Sequence, residues 1–220
     1  MKVSLQFGPV FVHWDMLMAG LLRSLELAAL SIVIGTLIGA VCAVGRVFGP
    51  RWLQFPLAAY VELIRNTPLL IQLYFVFFTL PLIGLKLNSY GAAVLALSIH
   101  LGAYATEILR AGVASVPRGQ LEAARSLGLS TLSTIRYVVL APAIRAVYPA
   151  LSAQFLLQLM GTSLVGAIAA EELTAIANNL VMRTFRSFEI YIVIGVIYFV
   201  VIQAFSLLLA GLGRLIFRWK

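Results

Sequence analysis

Five long stretches of this chain contain no Asp, Glu, Lys or Arg, and they constrain its fold more than any other feature. A helix needs roughly 20 residues to cross the hydrocarbon core of a bilayer. Because lipid offers the backbone no hydrogen-bond partners, a crossing segment without an alternating strand pattern is predicted to be a helix. The five predicted transmembrane helices are Leu27–Gly45, Asn66–Leu85, Leu87–Thr106, Ala146–Ala170 and Ile190–Gly213.

Composition excludes most other classes of protein. Of the 220 residues, 62% are hydrophobic and 11% are charged, whereas soluble domains carry about 25% charged residues. The net charge of +8 does not indicate a nucleic-acid partner, because the basic residues stand at the ends of the apolar stretches and form no cluster. We therefore predict an all-α membrane protein in which residues 1–220 form a single transmembrane domain in the lipid bilayer.

The distribution of Lys and Arg predicts the orientation, because cytoplasmic segments retain positive charge. With the N-terminus outside, 11 of the 16 basic residues lie on the inner side. This division predicts an external N-terminus, a cytoplasmic C-terminus and a cytoplasmic segment Leu109–Arg145. The five basic residues left outside are Lys2, Arg23, Lys86, Arg183 and Arg186.

The segment between the third and fourth predicted helices is polar enough to leave the membrane, yet it is rich in helix-forming residues. It predicts a short helix from Gly119 to Leu127, a break at Gly128 and a second helix capped by Ser130 or Thr131. Two small helices of this kind can dock a partner, with Ala123 and Ala124 allowing close approach. The residues alone equally allow a loop hairpin that only solvates the inner face.

Several ordered motifs resemble a known family. Glu122-Ala-Ala-Arg-Ser-Leu-Gly128 resembles the EAA motif of ABC importer permeases, a cytoplasmic coupling helix that sits in a cleft of the ATP-binding subunit. Three other stretches resemble the polar amino acid branch of that family, and the likeness extends from about Leu21 to Leu209. They are Arg65-Asn-Thr-Pro-Leu-Leu-Ile-Gln72, Ala103-Tyr-Ala-Thr-Glu-Ile-Leu-Arg-Ala-Gly112 and Gly161-Thr-Ser-Leu-Val165.

The resemblance implies a permease subunit in the bacterial cytoplasmic (inner) membrane that forms the path for a polar amino acid. It implies two ATP-binding subunits, an identical or homologous second permease and an extracytoplasmic binding protein as partners. Glu122, Ala123, Ala124 and Gly128 are then the coupling residues. Two alternatives stay open: a permease for methionine or osmoprotectants, and a membrane interaction protein that transports nothing.

The chain departs from the family pattern at two positions. Its proline, in Leu140-Ala-Pro142, stands one residue later than the family usually places it. Gly161 stands where many relatives carry a polar or charged residue, which alters the predicted substrate pocket. Neither departure touches the predicted docking segment.

Polar residues in the third and fourth predicted helices are candidates for the substrate path. Tyr104 and Glu107 lie on one face of the third helix, and Gln158, Thr162 and Ser163 form a polar stripe on the fourth. Glu107 can contact substrate or form a structural ion pair with Arg110 or Arg65. The stripe can line a water-filled path or join helices.

Other charged and titratable residues are predicted to be structural. Glu62 and Arg65, at i, i+3 spacing, are predicted to pair on a helix surface, and His100 to be packed and hydrogen-bonded. The three lysines are not in a Gly-Lys-Ser/Thr context, so the chain lacks the phosphate-binding loop of an ATPase. We predict no catalytic residue, no metal site and no cofactor.

Overall fold

The computed structural model describes residues 5–217, apart from the side chains at positions 118, 125, 131 and 132. Lys2, Arg218 and Lys220, which enter the charge count, lie outside the described residues. Regular structure between residues 5 and 217 is entirely helical. The α-helices are α1 Gly8–Phe11, α2 Trp14–Phe48, α3 Arg51–Arg65, α4 Leu69–Tyr74, α5 Ser89–Ala114, α6 Arg118–Ser126, α7 Thr131–Thr134, α8 Leu140–Gly161, α9 Leu173–Thr184 and α10 Ser187–Ile216.

Four helical segments are long and apolar enough to cross a membrane, and the number is five when a bent pair of helices is counted as one crossing. The bent pair joins α3 to Leu69–Ile83 at an angle of 111°. The predicted second helix, Asn66–Leu85, is therefore wrong in its limits. Within those limits the structure has α4 followed by a π-helical turn, Phe75–Thr79, and a 3₁₀ turn, Leu80–Ile83. The other half of the bent pair is α3, which lies before them in the chain.

The first crossing is longer than its charge-free stretch. α2 has 35 residues and begins at Trp14, well before the predicted start at Leu27. Arg23 and Glu26 lie inside the helix and pair at i, i+3 spacing with 2.9 Å between Nη1 and Oε2. Since arginine and glutamate both favour helix, a charge-free stretch marks the apolar part of α2 and not its first residue.

Close packing between α2 and α5 forms the centre of the subunit. A Cβ atom added to Gly39 would lie 2.5 Å from the Cβ of Ala105, so the two backbones approach as closely as a glycine permits. Small residues at such contacts let membrane helices gain dispersion energy where the hydrophobic effect gives none. Gly35 meets Leu101 in the same way one turn earlier.

We expect Gly39→Val to destabilise the subunit by about 3 kcal/mol, because overpacking forces the two helices apart. Thermal unfolding of the detergent-solubilised protein measures the change. Gly195→Val is the matched control, since no atom lies within 4 Å of a Cβ placed at Gly195. An equal loss in both variants would mean that the α2–α5 contact is not the sensitive one.

The chain enters the fourth crossing through a π-helical turn, Ile135–Val139, between α7 and α8. A π turn closes on the fifth following residue, so it accommodates one residue more than an α turn. Pro142, displaced by one residue from the family pattern, lies in the third position of α8, directly after the π turn. Proline lacks an N–H, so it cannot make the next helical hydrogen bond at this place in the segment.

Helix α9 was not predicted from the sequence. It lies between the fourth and the last crossing in the chain and packs against α2 and α10. Glu172 caps it: its carboxylate accepts the backbone N–H groups of Thr174 at 2.9 Å and Ala175 at 2.8 Å. The same carboxylate lies 3.2 Å from Ser24 Oγ on α2 and 3.0 Å from Tyr198 Oη on α10. A fully buried carboxylate therefore holds three helices together.

Candidate functional site

Pro68 lies at the break between α3 and α4 and explains it. Proline lacks an N–H and disfavours helical geometry in the residue before it, so α3 ends at Arg65 and a new helix starts after Pro68. The Nε2 of Gln72 donates to the carbonyls of Ile64 at 2.8 Å and Thr67 at 3.0 Å. Because these carbonyls are satisfied, the break is an ordered elbow.

Polar side chains connect this elbow to α5. The Oε1 of Gln72 accepts from Nδ1 of His100 at 3.0 Å, and the rings of His100 and Tyr104 have centroids 4.9 Å apart. The guanidinium carbon of Arg65 lies 5.5 Å from the Tyr104 centroid, within cation–π range. His100 thus has the hydrogen-bonded packing role predicted for it. No cluster of His, Cys, Asp and Glu suited to a metal ion occurs within residues 5–217.

Glu107 forms ion pairs with two arginines. One is Arg110, one turn further along α5, with Nη2 2.9 Å from the carboxylate. The other is Arg46, at the end of α2, which pairs with the second carboxylate oxygen. Of the structural pairs predicted for Glu107, the one with Arg110 is present, whereas Arg65 contacts Tyr104 instead.

The exposed side of α3 carries polar as well as large apolar residues, and the predicted pair between Glu62 and Arg65 is wrong. The carboxylate of Glu62 accepts from Nδ2 of Asn66 at 3.1 Å. Arg65 is the last residue of α3, at the elbow. A cavity of about 420 Å³ opens along the same helix beside Arg51 and Gln54, with Arg46 and Arg110 also in its wall. Because charged groups are costly in lipid, water or another subunit is expected beside Arg51, Arg46 and Arg110.

The polar residues of the fourth crossing divide into two groups. Gln158 is 2% exposed, and its Nε2 donates to Ser31 Oγ and to the Leu97 carbonyl, both at 2.9 Å. Thr162 is fully buried and donates to a carbonyl of its own helix at 2.8 Å. Ser163 is half-buried. Gln158 therefore joins three helices inside the subunit, while Ser163 is nearer its surface.

The segment between the third and fourth crossings ends its first helix at Gly128. This glycine has φ +73°, a left-handed conformation that strains other residues. The N–H of Leu129 donates to the Ala124 carbonyl at 3.1 Å, the 6→1 bond of a Schellman ending. Ser130 starts the second helix, since its hydroxyl accepts the N–H of Ser133 at 3.3 Å.

The predicted coupling residues do not all face outward. Glu122, Ala123 and Gly128 are exposed, and nothing lies within 4 Å of a Cβ placed on Gly128. Ala124 is 3% exposed, so it packs against its own subunit. Of the two alanines expected to admit a partner's backbone, Ala123 alone is accessible.

We expect Glu107→Gln to lower stability by about 1–3 kcal/mol, because two arginines lose their charged acceptor. It should also slow uptake if those arginines shape the path. Thr162→Val is the comparison, since it removes only a hydrogen bond within one helix, worth about 1 kcal/mol. Thermal unfolding and concentration-dependent uptake measure both effects. Wild-type stability with selective loss of cationic substrates would instead place Glu107 in contact with substrate.

The fold defines a helical membrane protein with a short exposed segment between its third and fourth crossings. The family of binding-protein-dependent transport system inner membrane components matches residues 35–218, and the chain belongs to this family. Its members are permease subunits of ABC transporters, in which a separate subunit hydrolyses ATP, and they are not enzymes.

Similar proteins match the chain over nearly its whole length. The octopine transport system permease protein OccM of Rhizobium meliloti is 35% identical over 92% of this chain and 89% of its own length. The glutamine transport system permease protein GlnP of Escherichia coli is 35% identical, covering 90% and 92%. The crystal structure of an amino acid ABC transporter with histidines superimposes with a TM-score of 0.90 at 36% identity, covering 96% and 99%.

Sequence reasoning missed the residues that act across long separations. Arg46 reaches Glu107 over 61 positions, and no local spacing predicts such a pair. Gln72 belongs to the motif Arg65–Gln72, which was interpreted from the sequence only as a family resemblance. A polar residue one turn after Pro68 also indicates a side chain that can bind the carbonyl groups left open by the proline. The Gln72 amide is a natural cap for the carbonyls that a proline break leaves open.

Proposed function

We propose that the chain forms the translocation path for a polar amino acid in an ATP-driven, binding-protein-dependent importer of the bacterial inner membrane. The observation that carries the proposal is the full-length likeness, in sequence and in fold, to amino acid permeases. Two of the relatives are named as permeases for octopine and for glutamine, and the similar crystal structure is of an amino acid ABC transporter together with histidines. These ligands share a polar, zwitterionic character.

The substrate path runs along the face shared by α3, α5 and α8. Arg65 and Tyr104 lie at its middle, and Glu107 holds Arg46 and Arg110 towards one end. An arginine stacked on an aromatic ring is held in place and can donate hydrogen bonds to a carboxylate from its free edge. Ser163 completes the path, and Gln158 and Thr162 support it from inside the subunit.

Coupling to ATP hydrolysis occurs at the α6 segment. Glu122 and Ala123 offer an acceptor and a close approach to the ATP-binding subunit, Ala124 anchors the helix, and Gly128 ends it. Two ATP-binding subunits, closing on ATP, push two such helices and rock two permease subunits, identical or homologous, so that the path opens outward. The binding protein then delivers substrate.

We expect Gln120→Cys to react with membrane-impermeant maleimide only from the cytoplasm, and Lys86→Cys only from outside, in a Cys42→Ala background. The reason is the excess of basic residues on the Gln120 side. Both positions are exposed, and they flank the two ends of α5. Labelling in intact cells and inverted vesicles gives the result, and the reverse pattern would contradict the orientation.

Purification of the tagged chain from native membranes tests the proposal as a whole. We expect an ATP-binding subunit and a permease partner to copurify, with a polar amino acid retained. Methionine or an osmoprotectant as the retained ligand would assign the chain to another branch. Recovery without an ATP-binding subunit would favour a membrane interaction protein.

A further inference from the structure

Helix α10 carries an unpaired amide near the middle of the membrane. Gln203 lies about 24 Å from the first residue of this 30-residue helix and about 20 Å from the last, at about 1.5 Å per residue. A hydrocarbon core about 30 Å thick and centred on the helix therefore has Gln203 close to its midplane, where the side chain reaches neither boundary. The side chain is exposed, and no hydrogen bond joins its amide to any other residue that the structure describes.

α10 is the least enclosed of the four long helical segments within residues 5–217. In its most apolar part 11% of the residues are buried inside the subunit, against 33% to 56% in the other three segments. Exposed apolar side chains need no protein partner, because lipid tails contact them equally well. An amide is different, because hydrocarbon offers it neither donor nor acceptor and leaving it unpaired is costly. Gln203 therefore indicates a polar partner from outside the subunit.

Gln203 belongs to a seam of residues on the exposed side of α10. Side chains that alternate four and three residues apart stay on one face of a helix, a pattern typical of left-handed helix pairs. The residues of this seam, which are exposed except for the half-buried Ser206, are Ile192, Val196, Phe199, Gln203, Ser206 and Ala210. The small side chains of Ser206 and Ala210 allow the backbone of a second helix to approach closely.

The partner that fits this seam is a second copy of the chain. All copies cross the membrane in the same direction, so a two-fold axis that relates two of them runs along the membrane normal and brings identical residues to the same depth. Each amide has an N–H donor and a carbonyl acceptor, so two facing Gln203 side chains can form two reciprocal hydrogen bonds. A different membrane protein would need a polar side chain at the same depth, whereas a second copy has one by symmetry.

We propose that two copies of this chain contact each other through α10, with their seams packed in parallel and their Gln203 amides hydrogen-bonded to each other. A single polar residue in an otherwise apolar seam fixes the register of a helix pair. The contact goes beyond the transport function, because it uses a helix that is not assigned to the substrate path. It does not depend on which amino acid is carried.

Disulfide cross-linking of the full chain in native membranes tests the contact, in a Cys42→Ala background with two differently tagged copies expressed together. We expect Ser206→Cys, on the seam, to give at least five times more cross-linked dimer than Ala204→Cys. Ala204 is the matched control, because it is exposed, lies at nearly the same depth and stands on the opposite side of the helix. Equal yields, or no product that contains both tags, would overturn the proposal.

Gln203→Leu removes the amide and keeps a side chain of similar size. In the Ser206→Cys background we expect it to lower the yield of dimer about fivefold, the size expected for hydrogen bonding between membrane helices. Gln203→Asn keeps an amide and should retain more dimer than Gln203→Leu. An unchanged yield in Gln203→Leu would overturn the proposal. So would a cross-link from position 206 to a different protein, which would show that another kind of helix covers the seam.

Discussion

Gly128→Asp is expected to abolish ATP-driven uptake while the protein remains in the membrane. Aspartate tolerates the left-handed conformation better than most residues, so α6 and its ending persist. The new carboxylate instead enters the proposed contact with the ATP-binding subunit. An unpaired charge buried in an interface costs about 2–5 kcal/mol, which weakens docking at least about 30-fold.

Copurification of the ATP-binding subunit and initial uptake rate measure this effect. Gly84→Asp is the matched control, because Gly84 has φ +92°, is equally unobstructed and precedes the other end of α5. We expect Gly84→Asp to retain the ATP-binding subunit. Unchanged copurification and uptake in Gly128→Asp would remove the α6 segment from the coupling mechanism.

Glu172→Ala is expected to destabilise the subunit more than any other single carboxylate change. It leaves two N–H groups at the start of α9 without their carboxylate acceptor and removes the contacts that link Ser24 and Tyr198 to the start of α9. The two hydroxyls keep other partners, the Gly20 carbonyl at 3.2 Å and the Thr174 hydroxyl at 3.0 Å. The loss of a helix cap and of buried hydrogen bonds amounts to roughly 3 kcal/mol or more. We expect a fall of about 6–12 °C in the midpoint of thermal unfolding.

The neighbouring Glu171 supplies the control, because it is exposed and precedes the cap by one residue. Glu171→Ala should leave the midpoint within about 2 °C of the wild type. If both alanine variants unfold at the same temperature, the carboxylate of Glu172 is not what joins α2, α9 and α10.

The apolar parts of the long helices could be predicted from the sequence, because charge in lipid is costly and a stretch of about 20 residues without charge is a local signal. The start of α2 could not be predicted in this way, because the helix continues through the paired residues Arg23 and Glu26. Pro68 indicates a break between two helices. The angle between α3 and α4 depends on the hydrogen bonds of Gln72 and on packing against α5, and a short stretch of sequence does not contain these contacts.

The candidate site was predicted only in part, for the same reason. The spacing of Glu107 and Arg110 indicates their pair, whereas Arg46 is brought close by the packing of α2 on α5. The ending at Gly128 follows from a local preference and was predicted correctly. Glu172 was missed because glutamate is an uncommon cap, and burial among three helices decides its role.

The central claim is that this chain carries polar amino acids across the membrane at the expense of ATP hydrolysed by another subunit. Uptake into proteoliposomes containing the copurified complex and its binding protein tests it most directly, with radiolabelled glutamine, histidine, methionine and betaine. We expect a polar amino acid to accumulate with ATP and not with a non-hydrolysable analogue, and methionine and betaine to be excluded. Accumulation of methionine or betaine alone, or of no solute, would contradict the claim.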